Sequence, residues 1–135
     1  NYLGHEVFHQ ALRKYIQEWA FKHPTPYDFF YLMEQEAGEE LGWFWRPWFF
    51  ELNYPDLAIE RKGEDLVISN PGGLPLPVDV VIVTDDAEKI RRYEASVWKD
   101  KHEIRIPVSD YKTFQSAYLD VKAIPDSNAQ NNKVE

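Results

Sequence analysis

The sequence of 135 residues contains no cysteine, so disulfide bonds, thiolate metal ligands and cysteine nucleophiles are excluded. Long hydrophobic runs are also missing, and none approaches the roughly 20 apolar residues of a membrane-spanning helix. Basic residues are few, because Lys and Arg number 15 against 23 Asp and Glu, which gives a net charge of −8. An acidic chain without a basic stripe predicts no nucleic-acid partner. None of these absences indicates a cellular compartment.

Aromatic residues are plentiful at 16% of the chain, and charged residues make up 28%. This composition is typical of a folded protein with an aromatic-rich packing surface rather than of a disordered one. The length suits one domain, or a small domain with part of another.

The first third of the chain has a helical pattern. Apolar pairs recur every four residues from Val7 to Ala20, which predicts an amphipathic helix from about Gly4 to about Phe21. His23 could be a metal ligand, but a cap at the end of this helix is the favoured interpretation, because the helix dipole stabilises a cationic ring there.

A second helix is predicted to begin at Thr25-Pro26. Thr25 is expected at the N-cap and Pro26 at the first helical position, with Asp28 reaching back as an acidic form of the capping box. The helix should end at Ala37-Gly38, with Gly38 in the left-handed conformation.

A third, short helix is expected from Glu39 or Glu40, with a kink or an early end at Pro47. It carries three tryptophans, Trp43, Trp45 and Trp48, that could form a carbohydrate-binding platform. Packing in the core or against another domain is the favoured role, because alternating aromatic residues on a short helix must bury one face.

After Tyr54-Pro55 the apolar pattern changes to a period of two, which indicates strands. A hairpin is predicted across Lys62-Gly63, followed by strands over 77–84, 89–98, 103–108 and 114–121. Six or seven short strands between turns predict an antiparallel, Ig-like β-sandwich, although the Cys-Trp-Cys mark of true Ig domains is absent. The expected fold class is therefore α+β: a short helical subdomain followed by this sandwich. The polar segment 127–135 is expected to be frayed.

The sequence His5-Glu6-Val7-Phe8-His9 matches the H-E-x-x-H zinc signature letter for letter. A zinc peptidase needs both histidines on one helical face, Glu6 as general base, a third ligand and an open site for water. The helical spacing, however, places His5 and His9 at the edge of the apolar stripe and Glu6 toward solvent. A solvated helix edge is therefore the favoured interpretation, and a miniature zinc peptidase the less favoured one.

The stretch from Trp19 to Phe50 resembles the last helical segment of the catalytic domain in the aminopeptidase N family of zinc metallopeptidases, the gluzincin aminopeptidases. It includes Trp19-Ala20-Phe21-Lys22-His23-Pro24-Thr25-Pro26-Tyr27-Asp28-Phe29-Phe30 and Gly38-Glu39-Glu40-Leu41-Gly42-Trp43-Phe44-Trp45-Arg46-Pro47-Trp48-Phe49-Phe50. In that family the third zinc ligand is a Glu separated from the second His by eighteen residues. Here that count ends on Asp28, which the capping box already explains.

The resemblance implies that residues 1–52 are the helical end of a peptidase catalytic domain, 53–126 the following β-sandwich domain and 127–135 a polar tail. The true zinc ligands and catalytic residues would then precede Asn1, so that no catalytic, cofactor-binding or metal-binding residue is expected here. The chain would be a non-catalytic C-terminal piece that supports and orients the catalytic domain of a zinc aminopeptidase.

Zinc would belong to the parent hydrolase, whose remainder would be the main partner, and the exposed aromatics would favour self-association of the isolated chain. The alternative from another class is an independent protein- or glycan-binding sandwich module.

Overall fold

The computed structural model describes residues 2–121 and 125–135. This part of the chain forms two compact units, a helical unit up to Phe49 and a sandwich unit over Phe50–Glu135. The expected α+β class is confirmed, since three α-helices are followed by two antiparallel sheets. No helix among the described residues is long and apolar enough to cross a membrane.

The helical unit consists of α1 (Gly4–Trp19), α2 (Pro26–Ala37) and α3 (Gly42–Phe49). Its small core is formed by Ala11, Leu32 and Met33, against which neighbouring aromatic side chains pack. Helix α1 ends two residues before the predicted Phe21, which has a left-handed φ of 62°. Such a backbone cannot continue a right-handed helix. His23 lies beyond this end and is exposed.

The predicted start and end of α2 are confirmed. The Asp28 carboxylate accepts hydrogen bonds from the backbone N–H and from the hydroxyl of Thr25, both at 2.7 Å. Together the two residues form the capping box, with Pro26 at the first helical position. At the other end, Gly38 has a φ of 71° and its N–H donates to the Glu34 carbonyl at 2.9 Å.

Replacing Thr25 by alanine is expected to lower the free energy of unfolding by about 0.5–2 kcal/mol, because the cap is lost. Asp28→Ala should lower the free energy of unfolding by a smaller amount, and that amount should depend on pH. The Thr25 hydrogen bonds lower the pKa of Asp28, so its stabilisation is complete above the unfolded-state pKa of about 3.9 and is lost as pH falls through the folded-state pKa. Urea unfolding at pH 7 and at about pH 3 checks this. An Asp28→Ala cost that is equal at both pH values would contradict the capping role.

Helix α3 begins later than predicted and continues past Pro47 to Phe49. The N–H of Leu41 donates to the Glu34 carboxylate of α2 at 2.9 Å, and the Leu41 carbonyl accepts from the N–H groups of Phe44 and Trp45. A side chain from another helix therefore sets the first turn of α3. The proline removes one donor, and the helix ends two residues after it.

The sandwich unit contains seven strands in the described residues. A three-stranded sheet has the order β1-β2-β5, and a four-stranded sheet has the order β4-β3-β6-β7. Side chains from both sheets form one buried cluster, which makes the unit a β-sandwich. The strands are β1 (Ala58–Lys62), β2 (Asp65–Ser69), β3 (Val78–Thr84), β4 (Glu88–Tyr93), β5 (Glu103–Pro107), β6 (Phe114–Leu119) and β7 (Lys133–Val134).

The predicted hairpin is confirmed, with Ile59 opposite Ile68 and Arg61 opposite Leu66. Strand β4 is shorter than the predicted 89–98, because residues Ala95–Trp98 form a 3₁₀ turn. The indole N–H of Trp98 donates to the Leu76 carbonyl at 2.7 Å. This bond replaces the strand pairing that the apolar pattern suggested.

The expectation that residues 127–135 are frayed is wrong. They contain a 3₁₀ turn (Ala129–Asn131) and β7, which pairs antiparallel with β6. The polar sequence does not predict this order, because hydrogen bonds rather than a stripe of apolar side chains hold the segment in place.

Candidate functional site

The zinc-like signature lies on the first two turns of α1. The rings of His5 and His9 are 5.9 Å apart between centroids and nearly perpendicular, as the four-residue spacing on a helix allows. His5, Glu6 and His9 are all exposed. They line a shallow concavity together with Gln10 and Arg13. The cationic Arg13 in this concavity opposes the binding of a metal ion.

Asp28, at the position of a third ligand by residue count, has a different role. Its carboxylate is bound by Thr25, and these hydrogen bonds hold its pKa below the usual value because they stabilise the charged form, with burial acting weakly in the opposite direction. No group of three or more His, Cys, Asp or Glu in the described residues could hold a metal ion. The donors present therefore do not fit a zinc centre with three protein ligands.

Aromatic rings are the main feature of the helical unit. Trp45 lies at their centre, stacked on Phe30 at 5.0 Å and in contact with Phe29 at 6.2 Å and Phe49 at 6.0 Å. Tyr15 meets Phe29 edge to face at 5.2 Å. At these separations, edge-to-face and stacked ring contacts stabilise the fold in addition to the burial of apolar area. The cluster thus joins all three helices.

Tyr2 is part of this arrangement, although no sequence pattern marks it. Its ring meets Trp43 edge to face at 5.2 Å and stacks on Phe44 at 6.1 Å. Its hydroxyl donates to the Glu39 carboxylate, with the two oxygens at 3.1 and 3.2 Å. A cavity of about 320 Å³ lies beside these rings, lined by Tyr2, Leu3, Gly4, His5, Phe8, His9, Leu41, Phe44 and Trp45.

The three tryptophans of α3 do not share one environment. Trp43 and Trp45 are half-buried against other rings, whereas Trp48 is 41% exposed and tilted over Phe44 at 6.0 Å. A sugar platform uses exposed indole faces. The half-buried positions of Trp43 and Trp45 instead favour the packing role.

Large aromatic side chains are also exposed on the helical unit. We call the following residues the exposed aromatic set: Phe8, Tyr27, Tyr31, Trp48 and Phe49, which are between 41% and 67% exposed. A scattered exposed ring is ordinary in a folded protein, whereas a contiguous patch of exposed apolar side chains marks an interaction site. The chemistry available at the exposed aromatic set is the burial of apolar area.

The edge strand β4 of the sandwich is protected by charge. Lys89 and Arg91 lie opposite Ile82 and Val80, two residues of the sandwich core, and so point to the core-facing side of the sheet. Both pack on the buried ring of Tyr111, at 5.6 and 5.9 Å, and the Arg91 Nε donates to its hydroxyl at 2.8 Å. Inward-facing charges of this kind prevent another strand from pairing with an edge.

Comparison with known proteins gives partial, low-identity similarity to aminopeptidases. Aminopeptidase M1-C from Oryza sativa subsp. japonica is 32% identical over 66 residues, which are 49% of this chain and 8% of that protein. Aminopeptidase M1-B from the same organism is 28% identical over 99 residues, 66% of this chain and 11% of that protein. Tricorn protease-interacting factor F2 from Thermoplasma volcanium is 22% identical over 109 residues, which are 75% of this chain and 14% of that protein.

No protein-family model matches the sequence. The chain spans about a tenth of the length of the curated relatives that it matches. It is thus distantly related to one part of the M1 aminopeptidases.

Proposed function

We propose that the chain is a non-catalytic C-terminal part of a zinc-dependent aminopeptidase, in which it supports and orients the catalytic domain. Residues 1–52 would be the helical end of that domain, 53–126 most of the sandwich domain that follows and 127–135 the polar tail, which completes the sandwich with β7. Peptide hydrolysis and the zinc ion would then belong to the parent protein outside this chain.

The observation that carries this proposal is the exposed aromatic set of the helical unit, in a chain whose sequence is related to a short stretch of much longer aminopeptidases. Fully burying one large apolar side chain such as Phe is worth about 1.5–3 kcal/mol. A unit with only a small buried core of its own therefore becomes substantially more stable when further polypeptide covers these rings. The rest of the parent peptidase supplies that cover in our proposal.

Two rival functions are less well supported. An independent module that binds peptides by strand addition needs an open sheet edge, and at the edge strand β4 the charges of Lys89 and Arg91 on the core side oppose such binding. A miniature zinc peptidase needs a third ligand, but His5 and His9 stand on an exposed helix face and the Asp28 carboxylate is bound to Thr25. Neither geometry favours the rival over a supporting role.

The purified chain is expected to hold no stoichiometric zinc and to leave aminoacyl reporter substrates uncleaved, because two exposed imidazoles do not make a closed site. Metal analysis after dialysis and a reporter assay with added zinc check this. The matched control is the His5→Ala/His9→Ala double variant, which should give the same result as the original chain. About one zinc per chain, lost in the double variant, would support the miniature peptidase instead.

The coding sequence upstream of the Asn1 codon provides a direct test of the supporting role. We expect it to encode H-E-x-x-H followed by eighteen residues and a Glu, in frame with this chain. A stop codon or an unrelated domain in that place would reject the proposal and leave the independent module as the explanation.

A further inference from the structure

Residues 126–134, which we call the strap, are hydrogen-bonded to two separate parts of the sandwich unit and also lie beside β1. One part is the entry segment, Pro55–Leu57, which leads into β1. The other is β6, the strand that pairs with β7. These contacts connect positions up to 75 residues apart in sequence.

Three hydrogen bonds hold the strap to the entry segment. The Ser127 N–H donates to the Pro55 carbonyl at 2.9 Å, and the Leu57 N–H donates to Oδ2 of Asp126 at 3.1 Å. The Nδ2 of Asn131 donates to Oδ1 of Asp56 at 3.0 Å. Asp56 is only 7% exposed and Leu57 only 1%. In the folded unit the strap therefore provides partners for a carboxylate and an N–H that have little access to water.

The second attachment is to β6. The Leu119 N–H donates to the Asn132 carbonyl at 2.9 Å, and Lys133 and Val134 pair with Tyr118 and Ala117. Asn132 is 6% exposed, and the partly buried Val134 packs against the sandwich core. A two-residue strand is weak by itself. Its retention depends on the bonds at the entry segment.

One carboxylate holds both the entry segment and the first turn of the strap. Oδ2 of Asp126 binds the entry segment, whereas Oδ1 accepts from the Asn128 N–H within the strap at 2.8 Å. Asn128 in turn accepts from the Gln130 N–H through its side chain and from the Asn131 N–H through its carbonyl, both at 3.3 Å. The conformation of the strap and its hold on the entry segment therefore depend on the same residue.

The entry segment is also held from another side. The Tyr54 N–H donates to the Gly72 carbonyl at 2.9 Å, and the Gly72 N–H donates to the Asp56 carbonyl at 3.1 Å. The backbone between Tyr54 and Leu57 thus has partners in the loop at Gly72 and in the strap. Two separate segments of the chain therefore fix the path by which the polypeptide enters β1.

We propose that the strap is a releasable lock on the entry of the sandwich, which opens as one unit and takes β7 with it, while strands β1–β6 stay folded. Polar bonds, one partly buried valine and the contacts with β1 hold it, and since these are only part of the contacts in the sandwich unit, its opening costs less than global unfolding. Opening removes the strap's bonds to the entry segment and exposes the β6 edge together, while the bonds at Gly72 remain. Whatever displaces the strap would therefore loosen the chain that leads into β1. This inference does not depend on the proposed function.

Hydrogen–deuterium exchange of the full chain, resolved at single amides, tests the lock through Asp126→Ala. We expect exchange to rise about tenfold or more at Ser127 and at Leu119, neither of which donates to the Asp126 side chain. The amides of the central strand β2 should stay protected. The matched control is Gln130→Ala, an exposed strap position whose backbone bond to Asn128 is kept, and it should leave all of these rates unchanged.

Two results would overturn the proposal. Faster exchange at Leu57 alone would show that the bonds act separately, and equal acceleration in β2 would show that the strap opens only with the whole sandwich. If Asp126→Ala does not fold, Asn131→Ala removes one side-chain bond and is read at the same amides. In that variant too, faster exchange at Leu57 alone or equal acceleration in β2 would overturn the proposal.

Discussion

Gly72→Ala is expected to destabilise the sandwich unit by about 3 kcal/mol or more. A Cβ at this position would overlap the carbonyl oxygen of Tyr54 and lie 2.7 Å from the backbone nitrogen of Asp56. Both are main-chain atoms, so no side chain can rotate away to make room. The added methyl group would separate the Gly72 loop from the entry segment and break the hydrogen bonds between them.

Gly63→Ala is the matched control in the same unit. Gly63 lies in the turn between β1 and β2 with a φ of 63°, and a Cβ added there would have no atom within 4 Å. Its substitution should cost only the backbone strain of the left-handed conformation, about 1–2 kcal/mol. Urea unfolding followed by circular dichroism compares the two variants. A Gly72→Ala protein as stable as Gly63→Ala would mean that the close approach at Tyr54 does not exist in solution.

Self-association of the isolated chain is expected to depend on the exposed aromatic set. Phe8→Asp and Trp48→Ala should each raise the dimer dissociation constant by about tenfold or more, because each removes a ring whose burial is worth about 1.5–3 kcal/mol. Both side chains are 41% exposed in the single chain and can gain contacts. Sedimentation equilibrium over a range of concentrations measures the change.

Ile90→Asp is the control for this experiment, since Ile90 is a 65% exposed apolar residue of the sandwich unit. It should leave the dissociation constant unchanged. A chain that stays monomeric at high concentration would contradict the prediction. An equal effect of Ile90→Asp would show that general hydrophobicity, rather than the aromatic set, drives association.

The elements that local chemistry specifies were predictable from the sequence. The capping box needs only Thr25, Pro26 and Asp28, and the β1–β2 hairpin needs only a period of two on either side of Lys62-Gly63. In both cases the partners are close in sequence. Fold class follows in the same way, from helical periodicity before Asn53 and strand periodicity after it.

Features that depend on distant partners were not predictable. The start of α3 is set by Glu34 from the preceding helix, and the place of Tyr2 by rings about 40 residues away. The strap has no local pattern that marks it as ordered, because Asp126 and Asn131 find their partners 69 and 75 residues away. The zinc-like motif shows the reverse case, since its letters match although the described residues bring no third ligand to it.

The inward-facing charges of β4 limit how this protein can assemble at that edge of the sheet. Lys89 and Arg91 would have to leave Tyr111 and lose water before another chain could extend the sheet at that edge. Growth by strand stacking, the route to amyloid fibrils, is therefore opposed at β4. Association through the exposed aromatic set does not extend a sheet, and it closes when both copies use the same surface. Concentrated solutions should accordingly reach a finite oligomer that dissociates on dilution, without a lag phase or seeding.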